Sequence, residues 1–179
     1  MRVYVCLGVY FFLGGFKGGP FSLFDYMPVI ALLNAAMGHI LCILLLSSGT
    51  GYIDRLDTCE RVAKQAELAG EDVPLILSLA FIESRFNTKA VSRSGAVGVM
   101  QVLPKYSCYG KPKCDLVKEG LRIWKRFKRR SNSTFETLCK YNSGNRCSAK
   151  GRRYARKVLN KMTWLLHQVD QCGDLCCDC

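Results

Sequence analysis

The apolar residues of this chain recur at helical spacing. Between residues 54 and 69 the charged positions are interrupted by Leu56, Val62, Ala63, Ala66 and Ala69, a spacing that predicts an amphipathic helix. The same criterion predicts four more helices, over residues 72–86, 115–127, 134–141 and 154–169. No segment alternates with period two, so the pattern predicts a mainly α fold.

The second of these helices is apolar nearly all round, which is typical of a core helix. Asp72 stands at its predicted N-cap and Pro74 lies in its first turn, where a missing N–H costs nothing. Near its end, Glu83 lies between Phe81 and Phe86. Because burying a charge is costly, this carboxyl either points to water or is held where its pKa matters.

The first fifty residues differ from the rest. Residues 27–48 contain no Asp, Glu, Lys or Arg, a run long enough to span a bilayer. Its ILCILLL core, followed by SSGTG, is typical of an export segment. We therefore predict a hydrophobic signal or transmembrane segment over residues 1–50, a soluble domain over residues 51–169 and a Cys-rich tail over residues 170–179.

Eleven cysteines among 179 residues indicate an oxidising compartment. Cys108 and Cys114 flank one short loop, and Cys139 and Cys147 flank another. Each pair is a plausible disulfide, although spacing alone does not fix connectivity. The tail CGDLCCDC could bind a metal ion, but its spacing matches no zinc pattern.

The net charge of +12 belongs to the C-terminal half. Residues 105–161 hold 18 basic residues and three acidic ones, whereas residues 51–104 hold six basic and seven acidic ones. This asymmetry favours a polyanionic partner such as nucleic acid, an anionic membrane or a cell-wall polymer. A solvated basic surface is the plainer alternative.

Four short motifs then follow in fixed order: Glu83-Ser84, Gly98-Val99-Met100-Gln101-Val102, Tyr141-Asn142-Ser143-Gly144 and Tyr154-Ala155-Arg156-Lys157-Val158-Leu159. Together they resemble the soluble lytic transglycosylase family, lysozyme-like enzymes that cut peptidoglycan. The resemblance covers roughly residues 60–165 and implies a lysozyme-like domain. The YNSGN form is similar to phage lysis or virion-associated members and to members from secretion and conjugation machines.

The resemblance implies one catalytic residue, Glu83, serving as acid and then as base. Proton delivery near neutral pH needs a carboxyl with a raised pKa, and an apolar site at a helix C-terminus favours that. Ordinary glycosidases use a second carboxylate, but Asp115, Glu119 and Glu136 lie beside no motif. The expected product has 1,6-anhydromuramoyl ends.

Substrate-binding roles are implied for three residues around the second motif. Ser84 would bond substrate or steady Glu83, or else bond the helix backbone. Gln101 suits an acetamido group, with a buried structural amide as the alternative. Gly98 would allow close backbone approach, or is simply a turn glycine.

The other motif residues likewise have either a role in the site or a purely structural role. Met100 would line the cleft floor or the core. The Tyr141 hydroxyl would face Glu83 or the sugar, unless it is a core tyrosine. Asn142 would bind substrate or hold a turn, and Tyr154 is interpreted as packing.

The chemistry implied here needs no cofactor and no metal ion. The expected partners are peptidoglycan and, through the N-terminal segment, a membrane, with no nucleic acid. The expected location is periplasmic or membrane-anchored facing the cell wall, or virion-associated. The alternatives are a goose-type lysozyme-like hydrolase, a non-catalytic glycan-binding component of morphogenesis or injection, and a nucleic-acid binder. Against the last, no stacking aromatics or helix-turn-helix pattern are evident.

Overall fold

A computed structural model describes residues 23–47 and 53–174 of the chain. Within them six α-helices follow one another: α1 (Leu23–Ser47), α2 (Leu56–Leu68), α3 (Val73–Ser84), α4 (Leu116–Lys128), α5 (Thr134–Ser143) and α6 (Ala149–Asp174). The described residues contain only isolated β-bridges and no extended strand. The predicted mainly α, lysozyme-like fold is confirmed.

Capping residues mark the ends of several helices. The Asp72 carboxylate accepts a hydrogen bond from the N–H of Leu75 at 2.8 Å, and Asp115 caps α4 in the same way. At the other end of two helices Gly70 and Gly144 have φ of 67° and 78°, which glycine adopts without steric cost. Helix α6 is longer than predicted, since it begins five residues before Tyr154.

Helix α3 is the centre of the described fold, because it packs against α1, α2 and α6. Its residues from Leu75 to Ala80 are all buried, as the unbroken apolar pattern predicted. Helices α5 and α6 form an antiparallel pair beside it, joined by a short turn, and α4 packs on α2 and α5. Trp124, Ile76 and Leu138 are among the fully buried side chains of this core.

Residues 87–103 form an irregular lobe between α3 and α4. Two isolated antiparallel bridges, Val91 with Val97 and Val97 with Val102, fold this segment back on itself. The backbones of Val97 and Val102 exchange both hydrogen bonds, at 2.9 and 3.0 Å. Residues 97–102, which include the second motif, therefore form a tight turn that presents its backbone to α3.

Helix α1 covers most of the export or anchor segment expected over residues 27–48, and part of it packs into the core. Leu41, Cys42, Leu45 and Leu46 are buried in the core formed with α2 and α3. No helix in the described ranges is both long enough and apolar enough to cross a membrane. The apolar residues on one face of α1 are removed from water by contacts with other helices. A hydropathy pattern alone does not distinguish such contacts from contacts with lipid.

Three disulfides are present among the described residues. Cys108–Cys114 and Cys139–Cys147 are the two pairs that the spacing suggested. The third, Cys42–Cys59, joins α1 to α2 and was not foreseen. The domain division stays a prediction, because three of its parts lie outside the described residues or side chains. These are the first apolar stretch, the predicted boundary at residue 51 and the cysteines of the tail.

Candidate active site

Glu83 occupies the penultimate position of helix α3, beside the irregular lobe. The helix ends abruptly because Arg85 and Phe86 both adopt left-handed backbone conformations, with φ of 52° and 61°. Such conformations are costly for residues with a Cβ and persist only where packing enforces them. Phe86 is fully buried and its ring lies edge-on to Phe81, with centroids 6.1 Å apart. This packing fixes the end of the helix and therefore the place of the Glu83 carboxyl.

The carboxyl of Glu83 lies in surroundings that favour its neutral form. Burial raises its pKa from an ordinary 4.5 to about 7, and a hydrogen bond from Tyr154 offsets this slightly. The side chain is partly accessible to solvent. A carboxyl that is both protonated near neutral pH and reachable meets the requirements of a general acid.

Tyr154 is the direct partner of Glu83. Its hydroxyl, on helix α6, donates to Oε1 of Glu83 at 2.7 Å. Burial together with the nearby Glu83 charge keeps the pKa of Tyr154 well above its ordinary value, so the hydroxyl retains its proton. Sequence reasoning interpreted Tyr154 as packing. The available signal was its place on the buried face of α6, where a tyrosine hydroxyl needs a partner.

Ser84 and Tyr141 both bond the tight turn at residues 97–102. The Ser84 hydroxyl donates to the carbonyl of Val99, and the Tyr141 hydroxyl donates to the next carbonyl, that of Met100, each at 2.8 Å. The two side chains come from α3 and α5, so they clamp the turn between these helices. Burial and the Glu83 charge raise the pKa of Tyr141 well above its ordinary value, so its hydroxyl keeps the proton that it donates.

Gln101 uses its amide nitrogen within the protein. Its φ is 48°, and its Nε2 donates to the carbonyls of Ala90 and Gly98, at 3.2 and 2.9 Å. The Oε1 acceptor makes no hydrogen bond to the described residues. Gly98 itself has φ of 74°, and a Cβ there would lie 2.8 Å from Cδ1 of Leu116. Both residues therefore maintain the shape of the turn.

Met100 and Asn142 differ in accessibility. The Met100 side chain is fully buried and packs against Gly120 of helix α4, so only its carbonyl takes part in the site. Asn142 is exposed on α5, next to Tyr141, and its side chain forms no hydrogen bond with the part of the chain described here. Of the two, Asn142 alone has a side chain free to meet a ligand.

The other carboxylates of this region are engaged elsewhere. Asp115 pairs with Arg61, Glu119 with Arg122 and Glu136 with Lys140, at 2.7 to 2.9 Å. The pKa of Glu83 responds to burial and to Tyr154 but to no second acid. Over residues 23–47 and 53–174, no three His, Cys, Asp or Glu side chains come together as metal ligands.

A cavity of about 640 Å³ lies away from Glu83, between α1, α2 and the start of α3. Its polar lining is paired internally: Asn34 and Lys64 both bond Glu67, and His39 bonds Glu60. The cavity thus presents no free catalytic group, and the chemistry is concentrated at Glu83.

One family model matches this chain, the transglycosylase SLT domain, over residues 60–111. That range begins in helix α2 and includes Glu83, Ser84 and the turn that Ser84 holds. Searches of curated proteins and of solved structures each found no match. The resemblance to the soluble lytic transglycosylases is therefore confirmed over residues 60–111, which match the transglycosylase SLT domain, whereas the motifs that begin at Tyr141 and Tyr154 lie outside the matched range.

Proposed function

We propose that this protein is a peptidoglycan lytic transglycosylase that cleaves the β-1,4 bond between N-acetylmuramic acid and N-acetylglucosamine. The SLT domain implies action on peptidoglycan in general. The observation that carries the finer proposal is Glu83, whose carboxyl has a pKa of about 7 and a single hydrogen-bond partner, Tyr154.

In the first step, protonated Glu83 donates its proton to the bridging oxygen as the glycosidic bond breaks. The leaving sugar departs with that proton. The acetamido oxygen of the muramoyl residue bonds to C1 and carries the positive charge that would otherwise need a second carboxylate. The ion-paired state of Asp115, Glu119 and Glu136 supports a mechanism with one acid.

In the second step, the Glu83 carboxylate takes the proton from the 6-hydroxyl of the same muramoyl residue. The 6-oxygen then bonds to C1 and the acetamido oxygen leaves, which gives the 1,6-anhydro sugar. Glu83 ends the cycle protonated, so no proton is gained or lost. A group that is acid and then base works best with a pKa near the working pH, as here.

Tyr154 would position the Glu83 carboxyl in both steps. Its hydrogen bond occupies Oε1 and leaves Oε2 for the substrate. Ser84 and Tyr141 would act through the turn at residues 97–102, which they hold beside Glu83. Asn142 and the free Oε1 of Gln101 are the groups that we propose bind the acetamido or hydroxyl groups of the sugar.

Action on peptidoglycan places the protein outside the cytoplasm, which suits its disulfides. We further propose export through the apolar N-terminal region and a role in phage lysis or entry, or in a secretion or conjugation machine.

The product decides between the proposal and its nearest rivals. Purified peptidoglycan is digested with the full, disulfide-intact chain and with a Glu83→Gln variant, and the soluble fragments are weighed by mass spectrometry. We expect anhydromuropeptides that are absent with the variant. Reducing ends in their place would indicate a goose-type hydrolase, and no fragments from folded protein would indicate a glycan-binding component.

A further inference from the structure

Residues 104–114, here called the lysine–tyrosine loop, carry an exposed surface that the proposed reaction does not use. Tyr106 and Tyr109 expose 55% and 52% of their surface, unlike the buried aromatic residues of the core. Lys105, Lys111 and Lys113 are exposed beside them. Their side chains form no ion pair with any described residue, and Lys105 lies over the Tyr106 ring, with Nζ 4.7 Å from its centroid.

Both ends of this loop are attached to the turn that borders Glu83. At its start, Val102 pairs with Val97 inside the turn. Just past its end, Leu116 packs on Gly98, so closely that a Cβ on Gly98 would overlap it. Ser84 and Tyr141 donate hydrogen bonds to Val99 and Met100 of the same turn, so the loop is joined to the segment that these two side chains hold.

The loop is held in one conformation before any ligand arrives. The Cys108–Cys114 disulfide closes it, and Arg122 of helix α4 donates to the carbonyl of Tyr106 at 2.7 Å. Arg122 is in turn fixed by Glu119. A surface that is already ordered loses little conformational entropy on binding, which favours affinity. Exposed aromatic rings on a rigid loop are therefore more consistent with a binding surface than with incidental exposure.

The charge around the loop indicates what it would bind. Residues 84–114 contain six basic residues and no acidic residue. A peptidoglycan strand presents sugar rings, which pack on aromatic faces, and stem peptides, which carry carboxylates. Two tyrosines interleaved with three lysines match that combination of apolar rings and negative charge.

We propose that the lysine–tyrosine loop is an additional substrate-binding surface, on which the tyrosines contact the glycan and the lysines contact the carboxylates of its stem peptides. This inference rests on the proposed function, since it extends the same site along the same polymer. It assigns to the cysteine-bounded segment a role in holding the strand beyond the sugars being cleaved.

The test measures binding in a background that cannot cleave. Full-length Glu83→Gln protein is sedimented with purified insoluble peptidoglycan, and with glycan strands from which the stem peptides have been removed. We expect a Tyr106→Ala/Tyr109→Ala variant to lose about tenfold in affinity for both materials. A Tyr106→Phe/Tyr109→Phe variant keeps the rings and should keep most of the affinity.

The lysines should behave differently. A Lys105→Gln/Lys111→Gln/Lys113→Gln variant should lose more affinity for intact peptidoglycan than for peptide-free strands, which keep only the lactyl carboxylate of each muramoyl residue, and the loss should fade as salt is added. The matched control removes three positive charges at other exposed sites: Arg126→Gln/Arg129→Gln/Lys150→Gln. It should bind nearly as the parent does.

Three results would overturn the proposal. In the first, the alanine variant would bind peptidoglycan as well as the parent does. In the second, the charge-matched control would lose as much affinity as the lysine variant loses. In the third, the lysine variant would lose as much affinity for heparin as it loses for peptidoglycan. Circular dichroism of each variant confirms that it is folded. Because binding is measured without cleavage, failure of the proposed function remains separate. Wild-type protein that yields no anhydromuropeptides would contradict the function and leave the loop result standing.

Discussion

Sequence patterns were informative to different degrees in two regions of this molecule. These regions are the segment from Glu83 to Val102 and helix α1. The first carries short polar motifs among apolar residues, and the structure brings those motifs together around one carboxyl. The second is a long apolar run, in which the structure buries Leu41, Cys42, Leu45 and Leu46 against other helices. The motif segment lies within the residues that match the transglycosylase SLT domain model, whereas the apolar run, predicted to be an export or anchor segment, has no such match.

The difference comes from what each kind of pattern specifies. A polar group or a glycine within an apolar stretch must be satisfied by a particular partner or a particular backbone angle, so few structures accommodate it. An apolar helix face needs only to avoid water, and lipid or protein can do that equally. The Cys42–Cys59 disulfide attaches α1 to α2, and no local pattern indicates it.

The largest effect should follow from changing the carboxyl that distinguishes the motif segment. We expect Glu83→Gln to reduce the cleavage rate by about 10²–10⁴-fold, because an amide cannot donate the proton that the leaving oxygen needs. Release of soluble muropeptides per minute is the measurement. An unchanged far-UV circular dichroism spectrum is the control, and retention of more than a tenth of the rate would show that Glu83 is not the acid.

The matching change in the other region is removal of the α1 tether. We expect a Cys42→Ala/Cys59→Ala variant to lose about 2–4 kcal/mol of unfolding free energy, because the disulfide closes a loop of 17 residues in the unfolded chain. Activity well below the unfolding midpoint should persist. Urea denaturation measures the loss.

A second disulfide serves as the control for that experiment. Cys108–Cys114 spans only six residues, so its removal should cost less stability. If removal of Cys42–Cys59 changed stability no more than this, helix α1 would not be an integral part of the folded domain.

The raised pKa of Glu83 should also appear as pH-dependent stability. The folded state holds its proton up to about pH 7, whereas the unfolded carboxyl loses it near pH 4.5. Wild-type stability therefore falls, relative to Glu83→Gln, as the pH rises through that window. We expect the variant to gain on the order of 2 kcal/mol between pH 5 and pH 8, with allowance for the solvent-accessible part of the carboxyl. If the difference between the urea midpoints of the wild type and Glu83→Gln were the same at pH 5 and at pH 8, Glu83 would not be a buried acid with a raised pKa.

The smallest effect is expected at Tyr154. Tyr154→Phe removes the hydrogen bond to Oε1, and because that bond lowers the Glu83 pKa, the alkaline limb of the activity profile should move to higher pH. The rate should fall about tenfold through poorer positioning of the carboxyl. Tyr141→Phe, which loses only the bond to Met100, is the matched variant and should leave the limb in place. If the alkaline limb of the activity profile stayed in place in both variants, Tyr154 would not influence the pKa of Glu83.

Most of the fold could be predicted because its signals are local. Asp72 caps a helix where a carboxylate was expected, and Gly144 ends one where its φ requires glycine. The site was only partly predictable, since the partner of a buried hydroxyl depends on how helices cross. Tyr154 therefore appeared as packing, and Gln101 appeared free although its amide nitrogen bonds two carbonyls.

The pKa of Glu83 itself tests the central claim most directly. Carboxyl carbon NMR of ¹³C-labelled protein, with Glu83→Gln identifying the resonance by its absence, follows the titration of this one group. We predict a midpoint at about 7, displaced from an ordinary 4.5 by burial. A midpoint near 4.5 would leave Glu83 ionised at neutral pH, and it could not then supply the proton that starts the proposed reaction.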